Sequence, residues 1–187
     1  MKAVSKFIFW LFGWKLVGYY PTEIKKSVVI AAPHTSNWDY VFSICAFFLM
    51  GKRIAFIAKK ELFRFPLGWL MRATGGIPLD RSKRNNTVQE TIDLFQEQDE
   101  LALMIAPEGT RGLTKGWKTG FYHVAVGANV PLAMGYLDYD KKYAGIGKIF
   151  YPTGNYEKDL IEIHRFYRPI TPKYPQKSSL YQENVTN

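Results

Sequence analysis

The sequence is poor in cysteine and histidine, and this scarcity removes several kinds of site at once. Cys45 is the single cysteine among 187 residues, so no internal disulfide can form, which fits a reducing compartment. It lies in the apolar stretch SICAFF, where a packed thiol is favoured over a nucleophile. The three histidines show none of the spacings typical of metal ligands, so the sequence predicts neither a metal site nor a cofactor.

The sequence also has no apolar run long enough to cross a bilayer. A spanning helix needs about 20 consecutive apolar residues, whereas the apolar segment 6–20 is shorter and is interrupted by Lys15. No small-residue cleavage site follows it, which argues against a signal peptide. We therefore expect a membrane-interface helix within residues 1–20, with a buried helix as the alternative. Four aromatic side chains suit the interface: Trp10, Trp14, Tyr19 and Tyr20.

Positive charge and aromatic side chains, by contrast, are abundant. The net charge is +9, and 16% of the residues are aromatic. This balance indicates an anionic partner, and we expect an anionic membrane surface on the cytoplasmic face. The stretch from Phe63 to Met71 is either a second membrane anchor or part of the core. No RNA-recognition or helix-turn-helix signature is present, so nucleic acid is not an expected partner.

Short apolar runs alternate with helical patterns along the chain. This alternation predicts one α/β domain over residues 1–187. The proline-containing tail, 168–187, is expected to be loosely held. Strands are expected at 27–32, 53–58, 77–79, 100–106, 130–138 and 143–151. Helices are expected at 36–50, 85–100, 117–127 and 156–167.

The stretch AAPHTSNWDYV places His34 five positions before Asp39, directly after a predicted strand. Pro33 disfavours helical geometry in the residue before it, so we expect the helix to begin at Ser36, with His34 in the loop. Asp39 then lies in the first turn, where its carboxylate can reach back towards that loop. A carboxylate on one imidazole nitrogen leaves the other nitrogen free to accept a proton. The pair fits either a structural contact or a general base.

The stretch APEGTRG follows another predicted strand, at the end where open α/β sheets bind ligands. Gly109 permits close backbone approach, and Arg111 can hold a phosphate with two parallel hydrogen bonds. Glu108 would orient Arg111 or a substrate hydroxyl. The stretch GGIPLDR supplies a second cation, Arg81. No G-x-S-x-G motif is present, so a base at His34 would have to activate a hydroxyl of the substrate.

Together these motifs resemble the glycerolipid acyltransferase family, typified by lysophosphatidic acid acyltransferases. The family's H-x-x-x-x-D, glycine-to-arginine, E-G-T-R and proline-containing segments appear in order as HTSNWD, GIPLDR, PEGTR and NVPLAM. The resemblance implies a mixed central sheet flanked by helices, as in the glycerol-3-phosphate acyltransferase sandwich. It also implies acyl transfer from acyl-CoA or acyl-carrier protein to a lysophospholipid such as 1-acyl-glycerol-3-phosphate. Other acceptors, glycerol-3-phosphate or a non-phosphorylated lysolipid, and a non-catalytic membrane-binding protein are the alternatives.

The resemblance further implies a role for each matching residue. His34 would be the general base that takes the proton of the acceptor's hydroxyl, and Asp39 would orient it and stabilise the imidazolium. The two arginines would hold the acceptor's phosphate, and their neighbours would shape the same pocket. These pocket residues are Arg81, Glu108, Gly109, Thr110 and Arg111.

Overall fold

A computed structural model describes residues 1–79 and 87–181. Within them, seven strands form one sheet. The strands are β1 (Lys15–Leu16), β2 (Lys26–Ala31), β3 (Ala55–Lys59), β4 (Gly76–Leu79), β5 (Leu101–Ile105), β6 (Leu132–Asp138) and β7 (Tyr143–Phe150). The helices are α1 (Lys2–Phe12), α2 (Trp38–Met50), α3 (Gly68–Ala73), α4 (Thr87–Glu97), α5 (Gly120–Gly127) and α6 (Tyr156–Tyr167), with 3-10 turns at Lys60–Phe63 and Pro175–Lys177.

The sheet is mixed. Its strand order is β1-β7-β6-β2-β5-β3-β4, and the five strands from β6 to β4 in this order run parallel to one another. Strand β7 runs antiparallel to β6, and β1 pairs parallel with β7. The predicted mixed sheet flanked by helices is therefore confirmed. In a parallel sheet the carboxyl ends of the strands meet at one edge, and that edge carries the site described below.

Helices cover both faces of the sheet because the central strands are apolar on both sides. Val28 and Ile30 of β2 point to the core that contains α4, α5 and α6. Val29, between them, points to the opposite core, which contains α2. Successive strand residues alternate between faces, so a strand buried on both sides has a continuous apolar run. This is why SVVIAA was recognisable as a buried strand.

The N-terminal segment differs from the predicted interface helix. Helix α1 ends at Phe12, because Gly13 adopts a left-handed conformation (φ +70°) that ends the helix. The chain then returns to the sheet as β1, beside β7. Only part of residues 1–20 is therefore helical. Of the four predicted interfacial aromatic residues, Trp10 and Tyr19 are exposed, whereas Trp14 and Tyr20 are buried.

The C-terminal segment is not loosely held where the structure describes it. Ile170 and Leu180 are buried in the same core as α5 and α6. Proline restricts the backbone but does not prevent nearby apolar side chains from packing, so proline content was a poor guide here. The prediction for 168–187 was wrong up to residue 181, and residues 182–187 lie outside the described residues.

The apolar stretch from Phe63 to Met71 was predicted to be either a second membrane anchor or part of the core, and its residues do not all share one environment. Phe63 is buried in the core beside α2. Phe65, in contrast, is 96% exposed, and Leu67 and Trp69 are also exposed. The stretch therefore contributes one side chain to the core and presents an apolar surface to solvent. None of the helices in the described ranges combines the length and hydropathy that crossing a bilayer requires.

Candidate active site

His34 and Glu108 meet because their strands are neighbours. His34 follows β2 and Glu108 follows β5, and these two strands pair in parallel. The main-chain N–H of His34 donates a hydrogen bond to Oε1 of Glu108 at 3.1 Å. Two motifs that are 74 positions apart in the sequence are thus joined at the carboxyl edge of the sheet.

The Asp39 carboxylate reaches back from α2 to the loop that carries His34. Its Oδ2 lies 3.2 Å from Nδ1 of His34. The same oxygen accepts hydrogen bonds from the main-chain N–H groups of Thr35 at 2.8 Å and Ser36 at 2.9 Å. Helix α2 begins at Trp38, two residues later than predicted, because Thr35 and Ser36 bond to this carboxylate before regular helical bonding starts. Asp39 therefore both orders the helix start and contacts the histidine.

Tyr139, which the sequence analysis missed, completes the surroundings of Asp39. It follows β6, and its hydroxyl donates a 2.6 Å hydrogen bond to Oδ1 of Asp39. Burial first, and then the bond to Asp39, raise the pKa of Tyr139 far above its ordinary value, so the phenol remains a donor. Tyr139 lies 100 positions from Asp39 and outside every recognisable motif, so no local pattern indicated it.

Glu108 lies behind the pocket rather than on its surface. The residue is only 5% exposed, and its Oε2 has no hydrogen-bond partner among the described residues. Burial raises the pKa of its carboxyl, partly opposed by the hydrogen bond from the main chain of His34. The neighbouring residues Gly109, Thr110 and Arg111 are exposed and line the cavity.

A cavity of about 1010 Å³ opens beside the His34–Asp39 pair. This volume lies at the upper end of the usual range for ligand pockets, which is about 300–1,000 Å³. Its lining contains polar residues and a set of apolar residues, here called the apolar wall. The polar lining includes His34, Asp39, Thr110, Arg111 and Lys118. The apolar lining includes Phe47, Met50, Phe56, Leu62, Leu67 and Met71.

Lys118 is a second cation of this cavity that the sequence analysis missed. Gly109 adopts a positive φ of +67°, and a Cβ atom there would lie 2.7 Å from Nζ of Lys118. The side chain of Lys118 therefore packs against Gly109. The main-chain N–H of Lys118 donates a hydrogen bond to the carbonyl of Pro107 at 2.8 Å. Lys118 and Arg111 consequently line the same cavity. Arg81, the other predicted cation, lies outside the described residues.

The remaining histidines and the cysteine lie away from the cavity lining. His123 is exposed on α5, and the ring of His164 packs edge-on against Trp117 at 4.9 Å between centroids. Cys45 is buried in α2, and burial raises the pKa of its thiol. These positions agree with the structural interpretation of all three residues.

The chain is similar to several known acyltransferases. The family model described as Acyltransferase matches residues 16–134. A 1-acyl-sn-glycerol-3-phosphate acyltransferase of Saccharomyces cerevisiae is 35% identical over 120 residues, which are 58% of this chain and 37% of the yeast protein. A probable 1-acyl-sn-glycerol-3-phosphate acyltransferase of Mycoplasma pneumoniae is 33% identical over 161 residues, covering 75% of this chain and 58% of that protein. The chain thus spans less than two thirds of the length of either relative.

A solved structure shares the fold. The 1-acyl-sn-glycerophosphate (LPA) acyltransferase PlsC from Thermotoga maritima superimposes with a TM-score of 0.62 at 20% identity. The match covers 90% of this chain and 75% of that one. At this level of identity the likeness concerns the arrangement of helices and strands.

Proposed function

Because the chain belongs to the Acyltransferase family, we propose that it is an enzyme of phospholipid synthesis that acylates a lysophospholipid. The acyl group comes from a thioester, acyl-CoA or acyl-carrier protein, and the acceptor is the free hydroxyl of a molecule such as 1-acyl-glycerol-3-phosphate. The observation that carries this proposal is the His34–Asp39 pair beside a large cavity whose lining includes the cations Arg111 and Lys118 together with the apolar wall.

His34 acts as the general base. Asp39 faces Nδ1, which favours the tautomer with its proton on Nδ1 and leaves Nε2 free to accept the proton of the acceptor's hydroxyl. The hydroxyl oxygen attacks the thioester carbonyl carbon, the carbon–sulfur bond breaks, and the imidazolium returns the proton to the leaving thiolate. Proton transfer by a positioned base contributes about 10²–10⁴-fold to the rate. A thioester is reactive enough to need no covalent enzyme intermediate.

Arg111 and Lys118 bind the acceptor's phosphate. Both line the cavity, and neither forms an ion pair with another residue in the described ranges. Arginine can contact a phosphate through two parallel hydrogen bonds, whereas lysine acts as a compact point charge. The resemblance assigns Arg81 to the same phosphate. Thr110 also lines the cavity.

The apolar wall binds the hydrocarbon of the donor or the acceptor. Phe47 and Met50 of α2 face the cavity from one side, and Leu67 and Met71 line it near α3. Each methylene group removed from water contributes about 0.8 kcal/mol. Several methylene groups on this wall hold a long chain firmly enough to orient the reacting end.

Exposed aromatic side chains of α1 attach the enzyme to a membrane surface. Phe7 and Trp10 form an exposed pair with ring centroids 5.9 Å apart. Phe12, at the end of α1, contacts the ring of Trp38, the residue directly before Asp39. The apolar surface of α1 therefore continues to the helix that carries the catalytic carboxylate, so docking brings the site close to a lysolipid in the bilayer.

The charge of the chain suits the cytoplasmic face, where anionic lipids are concentrated. Each basic residue near such a surface contributes about 1 kcal/mol of attraction. Phe65 and Trp69 add a second exposed apolar contact beside the cavity.

The test is acyl transfer from labelled acyl-CoA, and separately from acyl-carrier protein, to lysophosphatidic acid on liposomes. We expect product with the wild type and at least a 100-fold slower rate with His34→Ala, given what a general base contributes. His123→Ala is the matched control, because this exposed histidine lies outside the cavity lining. Near-normal turnover in His34→Ala, with folding unchanged by circular dichroism, would exclude His34 as the base.

A further inference from the structure

The two oxygens of the Asp39 carboxylate contact different partners. Oδ2 faces His34 and also accepts the hydrogen bonds of two main-chain N–H groups. Oδ1, the other oxygen, accepts a hydrogen bond from the hydroxyl of Tyr139 at 2.6 Å. A bond of this length between a hydroxyl and a carboxylate belongs to the strong, charge-assisted class. Tyr139 therefore contacts the catalytic carboxylate without contacting the histidine.

Three parts of the chain hold the Tyr139 ring in place. The ring packs edge-on against Trp14 at 5.0 Å and lies 6.2 Å from the ring of Phe42 on α2. The ammonium group of Lys173 lies 5.4 Å from the ring centroid on another side. The main-chain N–H of Tyr139 donates to the carbonyl of Thr171 at 2.9 Å. The hydroxyl is thus presented to Asp39 by a rigid support.

The C-terminal segment also supports Thr35, a second residue that donates to the carboxylate. The main-chain N–H of Tyr174 donates to Oγ1 of Thr35 at 3.2 Å. Thr35 in turn donates its own main-chain N–H to Asp39. Residues 171–174 therefore support both groups that flank the carboxylate, although they do not touch it themselves.

We propose that Tyr139 is a positioning residue that holds Asp39 in the orientation in which Oδ2 faces Nδ1 of His34. This inference rests on the proposed role of His34 as the base. Without the hydroxyl, the main-chain N–H groups of Thr35 and Ser36 still hold Oδ2, but Oδ1 loses the donor that Tyr139 supplies, so the plane of the carboxylate is less firmly fixed. The hydroxyl also draws negative charge towards Oδ1. Its loss leaves more charge facing His34, so the protonated and inactive imidazolium persists to higher pH.

The groups that face this network come from several elements. They are Asp39 on α2, Glu108 after β5, Tyr139 after β6, and Lys173 and Tyr174 in the C-terminal segment. Tyr139→Phe removes only the hydroxyl of Tyr139 and substitutes none of the other four residues. A change in the pH profile therefore reports on the bond to Asp39.

The experiment compares Tyr139→Phe with wild type, with His34→Ala, and with Tyr20→Phe as the matched control. Tyr20 also donates or accepts one buried hydroxyl bond of 2.7 Å, to Ser27, but it lies outside the cavity lining. We expect Tyr139→Phe to lower kcat about tenfold, as loss of a hydrogen bond to a charged group does. KM should stay within about twofold, and the acid limb of the kcat/KM–pH profile should move to higher pH. Tyr20→Phe should change none of these.

The outcomes separate the two proposals. Activity retained in His34→Ala overturns the proposed base, whereas an inactive His34→Ala together with a wild-type pH profile and kcat in Tyr139→Phe overturns only the positioning role. A second readout does not depend on turnover. The nitrogen NMR signals of His34 are assigned by their loss in His34→Ala. They are then followed as a function of pH in the wild type and in Tyr139→Phe. We expect the titration midpoint to rise in Tyr139→Phe, and an unchanged midpoint would overturn the inference.

Discussion

The glutamate of the E-G-T-R motif is expected to destabilise the folded chain, and Glu108→Gln tests this. Folding buries the Glu108 carboxyl and leaves its Oε2 without a partner among the described residues. Burial raises the pKa of the group, so at neutral pH the fold must either bury a charge or take up a proton. Glutamine carries no charge and keeps the oxygen that accepts the main-chain N–H of His34. The substitution should therefore raise the free energy of unfolding.

The magnitude follows from the unpartnered atom. An unsatisfied buried polar group costs about 1–3 kcal/mol, and more when it is charged. The amide of glutamine must still find a partner in place of Oε2, so we expect a net gain of about 1 kcal/mol. For a chain of this length that gain raises the melting temperature by about 2–4 °C.

The difference in the free energy of unfolding between Glu108→Gln and the wild type should depend on pH, and its sign can be worked out. The carboxyl ordinarily titrates near 4.5, and its folded-state pKa is raised above that value. Between the unfolded and folded pKa values the folded protein binds more protons, so wild-type stability falls as pH rises through this window. The advantage of Glu108→Gln should be small at acidic pH, grow through the window and then level off.

Urea denaturation at several pH values, followed by circular dichroism, measures this difference. Glu23→Gln is the matched control, since Glu23 is exposed. A Glu108→Gln protein that is less stable than wild type at neutral pH, or a difference that does not change with pH, would refute the reasoning.

Two further predictions concern substrate and membrane binding. Lys118→Ala and Arg111→Ala should each raise KM for a phosphorylated acceptor about tenfold, as loss of a charge-assisted contact does, and leave KM for a non-phosphorylated lysolipid unchanged. Lys115→Ala, in the same loop but outside the cavity lining, is the control, and equal effects on both acceptors would argue against a phosphate site. Trp10→Ala should weaken binding to anionic liposomes about tenfold in a sedimentation assay, because this side chain is 76% exposed on α1. Tyr151→Ala removes an aromatic ring elsewhere that is 68% exposed, and a similar loss there would show that the effect is not specific to α1.

Elements with strong local signals were predictable from the sequence. Helix α6 has the predicted bounds because its apolar residues recur on one side and Asn155 caps its start by accepting the N–H of Lys158. Strand β5 lies within the predicted run because it is buried on both faces of the sheet. In both cases the residues that decide the structure are adjacent in the sequence.

Features that depend on distant residues were not predictable. The exposed and buried aromatic residues of the N-terminal segment look alike in the sequence. Trp14 is buried because its ring packs against Phe42 and Tyr139, which are distant in the sequence. The bond from Tyr174 to Thr35 spans 139 positions, and no pattern within the proline-containing tail reports it. Hydrophobic periodicity indicates that a residue is buried, but it does not identify the partner.

The sequence alone did not decide whether His34 and Asp39 form a structural contact or act as a general base. The two side chains differ in hydrogen bonding and exposure, and this difference favours the general base. Apart from His34, three hydrogen-bond donors hold Asp39, and its side chain is only 6% exposed. The His34 side chain is 20% exposed beside the cavity, and within the described residues its Nε2 makes no hydrogen bond. A purely structural histidine gains most when both nitrogens are bonded, since an unsatisfied polar atom lowers stability. A general base needs the opposite arrangement, with one nitrogen held by a fixed carboxylate and the other open to substrate.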